Sequence, residues 1–279
     1  MGGLGRVHSL CVLAVTSAIL SYASSVAARS LEPPIVSERR SASMPPMGWN
    51  PFNAFRLNYD ENTIIRSAEA LVALKLAGAG YNYVNLDDGW WLRRDAGGIE
   101  IRTNLFPSAL LPDGTTSFRP LTDRMHAMGL KAGIYTDIGF NTCSQHWDKD
   151  SPNLPAGSVA QREVGLMDHG KQDGTAFFAK WGFDYVKVDA CGVADYGPDQ
   201  IDVRSGRYRA VPPLIVRGRP SASKPKELAA LYGRFANSVR SVAGSSPIIA
   251  ICAWGEADVN DWAGRYGQTW RTSSDIRAT

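Results

Sequence analysis

The chain has 279 residues, 44% of them hydrophobic, with 30 Lys and Arg against 27 Asp and Glu. That length suits one large domain or two small ones and supplies enough apolar side chains for a sizeable core. Net charge is only +3 and the basic residues are scattered, so no electrostatic stripe marks the chain for nucleic acid or anionic lipid.

The first 28 residues have the layout of a secretory signal peptide: Arg6 in a short leading region, an apolar stretch from Leu10 to Leu20, then Ser25, Val26, Ala27 and Ala28. Eleven apolar-leaning residues are too few to span a bilayer, so a membrane anchor is not expected. The mature chain is then secreted, periplasmic or extracellular, and its net charge falls from +3 to +2 because Arg6 leaves. Cys11 leaves too, and Cys143, Cys191 and Cys252 remain. An oxidising compartment allows one disulfide and leaves one thiol over, and the sequence does not choose the pair. With no Cys-x-x-Cys, no His-Glu-x-x-His and four scattered histidines, no metal site and no cofactor are expected.

Residues 29–46, rich in Pro, Ser and Arg, read as a flexible entry, and from Met47 to the end the chain repeats a short β-rich run followed by an amphipathic helical stretch. Thr63 to Ala77 reads as a helix with Ile64, Ala68, Leu71, Val72 and Leu76 on one face, Asp60 or Asn62 as its cap, and Gly78 and Gly80 as its stop. Strands are expected at 81–86, 130–135, 183–188 and 248–252, and further helices near 121–128, 174–180 and 227–242. Such βα order implies a parallel sheet. Residues 193–225, broken by Gly197-Pro198 and Pro212-Pro213, interrupt the rhythm and are either a long loop on the catalytic face or a disordered insertion.

Polar groups collect where the strands end: Asp87-Asp88-Gly89-Trp90-Trp91, Asp137, Asp189-Ala190-Cys191-Gly192 and Trp254. Groups drawn from several successive strand ends point to a (β/α)8 TIM barrel, whereas an open doubly wound sheet concentrates them at one switch point. Glycoside hydrolysis uses two carboxyl groups, one ionised and one able to give up a proton, about 5 Å apart in the retaining mechanism. Alternation along 185–189 puts Lys187 and Asp189 on one side, where the cation is expected to keep Asp189 ionised as a nucleophile; a structural Lys–Asp pair is the alternative. Asp275, near Trp270, is a general-acid candidate or a helix cap in Ser273-Ser274-Asp275. Asp87 and Asp88 beside Trp90 and Trp91 read as acceptors of sugar hydroxyls next to an aromatic platform, with an acidic turn or a divalent-metal site as alternatives.

Five ordered segments together resemble the melibiase family, glycoside hydrolase family 27, whose best-known activity is α-galactosidase. They are Met47 to Asn50, Tyr81 to Trp90, Gly133 to Asp137, Trp181 to Asp189 and Trp270 to Ile276. The resemblance implies an enzyme that removes terminal α-galactosyl residues from oligosaccharides or polysaccharides by double displacement. Asp189 would be the nucleophile and Asp275 the acid/base. Asp87 and Asp88 would grip ring hydroxyls, and Trp49, Tyr135, Lys187 and Arg271 would line the sugar subsite. It also implies a disulfide between the cysteines at 143 and 191, worth about 4 kcal/mol in the chain-entropy model, with Cys252 unpaired.

Two departures bear on these expectations. Where α-galactosidases of the family carry Glu after the cysteine of the next strand, this chain has Ala253, with Glu256 nearby. Related specificities (α-N-acetylgalactosaminidase, β-L-arabinopyranosidase or isomaltodextranase-like) therefore stay open. The chain also shows about six strand candidates and lacks the family's C-terminal antiparallel domain, so it reads as a truncated barrel over 47–279. An unclosed barrel exposes sheet edges and core, which predicts poor solubility and little turnover, and makes a carbohydrate-binding fragment without catalysis the competing reading.

Overall fold

The computed structural model describes residues 44–148, 150–195, 207–209, 211–244 and 246–276. The leader and residues 29–43 of the entry segment lie outside them. Eight strands follow in chain order: β1 (Met47–Trp49), β2 (Tyr81–Asn85), β3 (Trp91–Asp95), β4 (Gly98–Ile101), β5 (Lys131–Asp137), β6 (Tyr185–Asp189), β7 (Ile248–Cys252) and β8 (Thr269–Trp270). Six of them form one parallel sheet in the order β1-β2-β5-β6-β7-β8, with β1 and β8 at its edges among the described residues. This is the α/β barrel order expected from the sequence. In β5, six successive residues from Ala132 to Asp137 are buried, as a parallel strand covered on both faces requires.

The helices are α1 (Phe52–Phe55), α2 (Glu61–Ala73), α3 (Arg119–Ala127), α4 (Cys143–Trp147), α5 (Gly170–Gly174), α6 (Pro225–Ala243) and α7 (Val259–Trp262). Asp60 caps α2 by accepting from the Thr63 backbone N–H at 2.8 Å and from its hydroxyl at 2.6 Å. The buried face of α2 is Ile64, Ile65, Ala68 and Leu71, while Val72 and Leu76 are exposed, contrary to the expected stripe. Val72 lies round the cylinder from Leu71. Leu76 falls beyond the helix, which ends at Ala73 as Lys75 turns left-handed (φ 60°) before the glycines are reached. The helix expected over 174–180 begins four residues earlier as α5 and continues as a π-helical turn from Thr175 to Lys180. In α6 the buried positions Leu228, Tyr232, Phe235, Ala236 and Val239 follow helical spacing. Tyr232 also donates to the carbonyls of Val188 and Asp189 at 3.0 and 3.2 Å, fastening the helix to the end of β6.

The antiparallel hairpin β3–β4 is absent from the sequence expectation, because Trp90 and Trp91 there read as a surface platform. Both rings are instead fully buried. Trp90 packs edge-on against Phe118, Phe177 and Trp181, with centroids 5.5 to 6.0 Å apart, and its indole N–H donates to the Tyr135 carbonyl at 3.0 Å. Burying such large apolar surfaces outweighs any gain from leaving them at a site mouth. In the 193–225 stretch, residues 196–206 and 210 lie outside the described residues. Of the remainder, Val193, Tyr208, Ile215 and Val216 are buried and Ala194 is bridged to Ile215, while residues 217–222 are exposed. No helix among the described residues is long and apolar enough to cross a membrane.

The hairpin is anchored by one buried ion pair. Arg94 donates to both Asp173 oxygens on α5, at 2.9 and 2.6 Å, and to the Glu163 and Gly165 carbonyls at 2.7 and 3.0 Å. Both side chains are 5% exposed or less, so the pair persists only because every polar group finds a partner. Arg94→Ala leaves Asp173 buried and unpaired and is expected to cost about 3–5 kcal/mol. Denaturant unfolding measures this, and a loss below about 1 kcal/mol would count against the clamp.

Candidate active site

The register of the sheet assembles the site. Across β5, β6 and β7 the last residues align as Asp137, Asp189 and Cys252, and two residues earlier Tyr135 lies beside Lys187 and Ala250. Side chains two apart on a strand share a face, so these rows project together at the C-terminal edge. Asp87 and Asp88 follow β2 at the same edge. Asp87, Asp88, Asp137 and Asp189 are all buried.

Lys187 ties the strands together. Its ammonium donates to Asp87 Oδ2 at 3.0 Å, stands 3.9 Å from Asp189 Oδ2, and lies over the Tyr135 ring at 4.9 Å and the Phe52 ring at 5.8 Å. Burial pushes the ammonium toward losing its proton, but Asp87 and Asp189 outweigh that and hold its pKa above the ordinary lysine value. Lys187 acts on Asp189 in the expected direction, favouring its ionised form, but burial outweighs it. Burial raises the Asp189 pKa, and Lys187, the Cys252 thiol that hydrogen-bonds it and the Ala190 N–H offset only part of the rise.

The paired acids are held by different partners. Asp87 Oδ2 accepts from Asn50 at 2.7 Å and from Lys187, while Oδ1 accepts the Asp88 N–H at 2.9 Å. Tyr59 fixes the Asp87 backbone, accepting its N–H at 3.0 Å and donating to its carbonyl. Asp88 Oδ1 accepts from the hydroxyls of Ser144 at 2.7 Å and Thr142 at 3.2 Å, and Oδ2 accepts the Ser144 N–H at 2.8 Å. A carboxylate has about four acceptor positions. Among the described residues each acid therefore keeps one, on Asp87 Oδ1 and on Asp88 Oδ2, and the hydroxyl of buried Tyr135 has no partner.

Asp137 accepts the N–H groups of Gly139 and Gly192 through Oδ1, at 2.7 and 3.0 Å, and its Oδ2 has no partner among the described residues. A Cβ on Gly192 would stand 2.8 Å from that Oδ1 and 2.9 Å from the Gly139 Cα, so only glycine allows the two turns to meet there. Burial first, and Asp189 second, hold the Asp137 pKa well above the carboxylate range. The disulfide Cys143–Cys191 joins α4 to the turn after β6, as the family resemblance implied, and Cys252 is a buried thiol. Asp137 lies beside both bridged cysteines, but their sulfurs are committed to each other and offer no metal ligand.

The remaining sequence candidates lie toward the rim. Trp49, half-buried at the end of β1, packs edge-on against Phe55 at 6.3 Å. Asp275 is not part of the buried cluster: its side chain is 77% exposed and accepts from Arg271 at 2.8 Å. Glu256 accepts the Gly218 N–H at 3.3 Å, turned to the loop before α6. Sequence reading did not single out Asn50, Tyr59, Thr142, Ser144 or Cys252 as site residues. The signal present for Asn50 and Cys252 was position, immediately after β1 and at the end of β7.

A parallel βα sheet with acids converging at its C-terminal edge defines a barrel-type chain whose polar groups serve one mouth. Residues 44–211 match the family model described as alpha galactosidase A. The chain is 36% identical over 234 residues to an alpha-galactosidase of Coffea arabica and 34% identical over 238 residues to alpha-galactosidase 2 of Arabidopsis thaliana. These matches cover 83% and 85% of this chain but 47% and 46% of the relatives, so the chain spans about half their length. Among solved structures, alpha-galactosidase I of Mortierella vinacea superposes with a TM-score of 0.59 at 28% identity, over 86% of this chain and 48% of that one. The Saccharomyces cerevisiae alpha-galactosidase solved with raffinose gives 0.60 at 22% identity, over 84% and 41%, a likeness of fold. The chain belongs to the melibiase family, glycoside hydrolase family 27.

Raised carboxyl pKa values carry a sign for stability. Burial, opposed by Ser144, holds Asp88 at about 7, and Asp137 and Asp189 are raised as well. The folded chain thus keeps protons that the unfolded chain releases at about pH 4. The resulting stabilisation is full below that pH and is lost as pH rises through about 7. Scanning calorimetry from about pH 4 to 8 is expected to show a falling melting temperature, with a shallower fall in Asp88→Asn. Identical slopes in the two proteins would remove Asp88 from the account.

Proposed function

We propose that this site is the sugar-binding and catalytic centre of a retaining α-galactosidase, with Asp189 as nucleophile and Asp275 as acid/base. The observation that carries the reading is the buried pair Asp87 and Asp189 engaged by Lys187, with buried Asp88 next to Asp87, in a chain whose relatives are named alpha-galactosidases. The open acceptor positions on Asp87 Oδ1 and Asp88 Oδ2 suit two ring hydroxyls, and the unpartnered Tyr135 hydroxyl faces the same acids. Trp49 and Arg271 complete the subsite at its rim.

In the first step an Asp189 oxygen bonds to the anomeric carbon as the bond to the leaving oxygen breaks, and Asp275 gives that oxygen its proton. In the second step Asp275 takes a proton from water, whose oxygen replaces Asp189 at the same carbon. Lys187 stabilises the ionised form of Asp189 against its burial. A secreted or periplasmic setting is part of the proposal, supported by the leader-like first 28 residues and by the disulfide.

A second reading, sugar binding without turnover, is favoured by one observation: Asp275 is exposed and engaged by Arg271. Purified chain incubated with p-nitrophenyl α-D-galactopyranoside, the α-N-acetylgalactosaminide and the β-L-arabinopyranoside separates the two. Release of nitrophenol from the galactoside, lost by at least about 10³-fold in Asp189→Asn with the fold intact by circular dichroism, is the expected result. Turnover undiminished in Asp189→Asn would overturn the assignment. Galactose binding by calorimetry without release from any substrate would establish the binding-only reading.

A further inference from the structure

Asp88 is buried at a place where a carboxylate is costly, and what holds it comes from a segment distant in sequence. Ser144 contributes twice: its hydroxyl meets Oδ1 at 2.7 Å and its backbone N–H meets Oδ2 at 2.8 Å. Ser144 is itself fully buried. Thr142 adds a longer bond to Oδ1 at 3.2 Å while its own N–H donates to Gln145 at 2.9 Å, so the turn presenting both hydroxyls is internally braced. Cys143, between them, is bonded to Cys191, two residues after Asp189. The segment that grips Asp88 is thereby tethered to the strand that carries the proposed nucleophile.

With two hydroxyls on Oδ1, that oxygen is filled, and with one N–H on Oδ2, a single acceptor position is left. The titratable groups around Asp88 all disfavour its charge or lack a positive one to offset it. They are Asp87 after β2, Tyr59 before α2, Tyr135 and Asp137 on β5, and Asp189 on β6. Lys187 is committed to Asp87 and Asp189. Ser144 is the strongest favourable influence on the ionised form, through both of its bonds.

We propose that Ser144 is a positioning residue for Asp88, holding its carboxyl in one orientation with Oδ2 alone open to a single sugar hydroxyl and favouring its acceptor form. Its use in hydrolysis rests on the proposed α-galactosidase reading; its action on Asp88 does not. Without the Ser144 hydroxyl, Oδ1 gains an open position and the carboxyl retains its proton to a higher pH, becoming a donor where an acceptor is required.

The test is carbon-13 NMR titration of Asp88 in the full chain, its carboxyl resonance assigned by its absence from Asp88→Asn. In Ser144→Ala the midpoint is expected to rise by about one pH unit, the tenfold change in proton affinity that loss of one bond to a charged group brings. Ser144→Thr, which keeps a hydroxyl, should restore it, and Ser144→Val, its isostere without one, should not. This pair decides the matter if Ser144→Ala does not fold. On p-nitrophenyl α-D-galactopyranoside, KM is expected to rise about tenfold, the acid limb of kcat/KM moving up with the NMR midpoint. A midpoint that does not move between the Thr and Val variants overturns the proposal. A midpoint that moves in a chain hydrolysing no glycoside supports the role of Ser144 and overturns the proposed function instead.

Discussion

The constraint on which the rest of the site depends is the placing of Lys187 against buried carboxylates. Four acids, Asp87, Asp88, Asp137 and Asp189, are removed from water at one edge of the sheet, and the ammonium of Lys187 directly engages two of them. Removing one charge from water costs several kcal/mol unless it is paired and hydrogen-bonded. The cluster meets this in two ways. Asp87 takes the cation together with Asn50 and a backbone N–H, and Asp88 takes Ser144 and Thr142. Asp137 places Oδ1 on two backbone N–H groups, and burial pushes its pKa well above the carboxylate range. Without Lys187, Asp87 and Asp189 would stand at this edge with no cation between them.

Geometry follows from register. Because neighbouring parallel strands are aligned residue for residue from Tyr135 and Lys187 to Asp137 and Asp189, a charge on β6 cannot shift without moving β5 and β7. The turns after β5 and β6 then meet so closely that Gly139 and Gly192 are obligatory there, both donating to Asp137. The disulfide closes the same junction covalently. A single small region thus holds the nucleophile candidate, a ring-gripping candidate and the cross-link, and the fold's rigidity is concentrated where sub-ångström placement matters most.

Periodicity made most of this framework legible. Alternation along β6 predicts that Lys187 and Asp189 share a face, and they do. Apolar runs locate the four central strands, and Tyr232 and its helical neighbours locate α6. What the pattern could not carry falls into two kinds. Trp90 and Trp91 have the same one-dimensional signature whether they line a site or fill a core, and only packing against Phe118, Phe177 and Trp181 decides between them. Asn50, Thr142 and Ser144 are small polar residues in turns, where no period exists. Their role arises from a contact that spans 56 residues in the case of Ser144 and Asp88. Val72 was misplaced because it lies round the cylinder from Leu71, and Leu76 because the helix stops at Ala73 before reaching it.

Asp275 and Asp189 differ in every local respect, one exposed and on a short terminal segment, the other buried at a strand end, yet Arg271 places them in one electrostatic unit. Burial works against the Arg271 charge, but its bond to Asp275 and the nearby Asp189 raise its pKa above the ordinary guanidinium value. Its backbone N–H is bonded to the Ile251 carbonyl on β7, so the side chain starts from a fixed point of the sheet. The loop after β7 supports the same segment from the other side. Gly255, left-handed at φ 82°, packs so tightly against the Thr272 carbonyl that no Cβ fits between them. Trp254 beside it is also left-handed, at φ 53°, a conformation a bulky aromatic adopts only when its surroundings impose it. Backbone strain after β7 and the Arg271 ion pair therefore act on one object, the Thr272–Asp275 segment. On the proposed function, Arg271, paired with Asp275 and close enough to Asp189 to feel its charge, is the residue through which substrate binding and proton transfer would be joined.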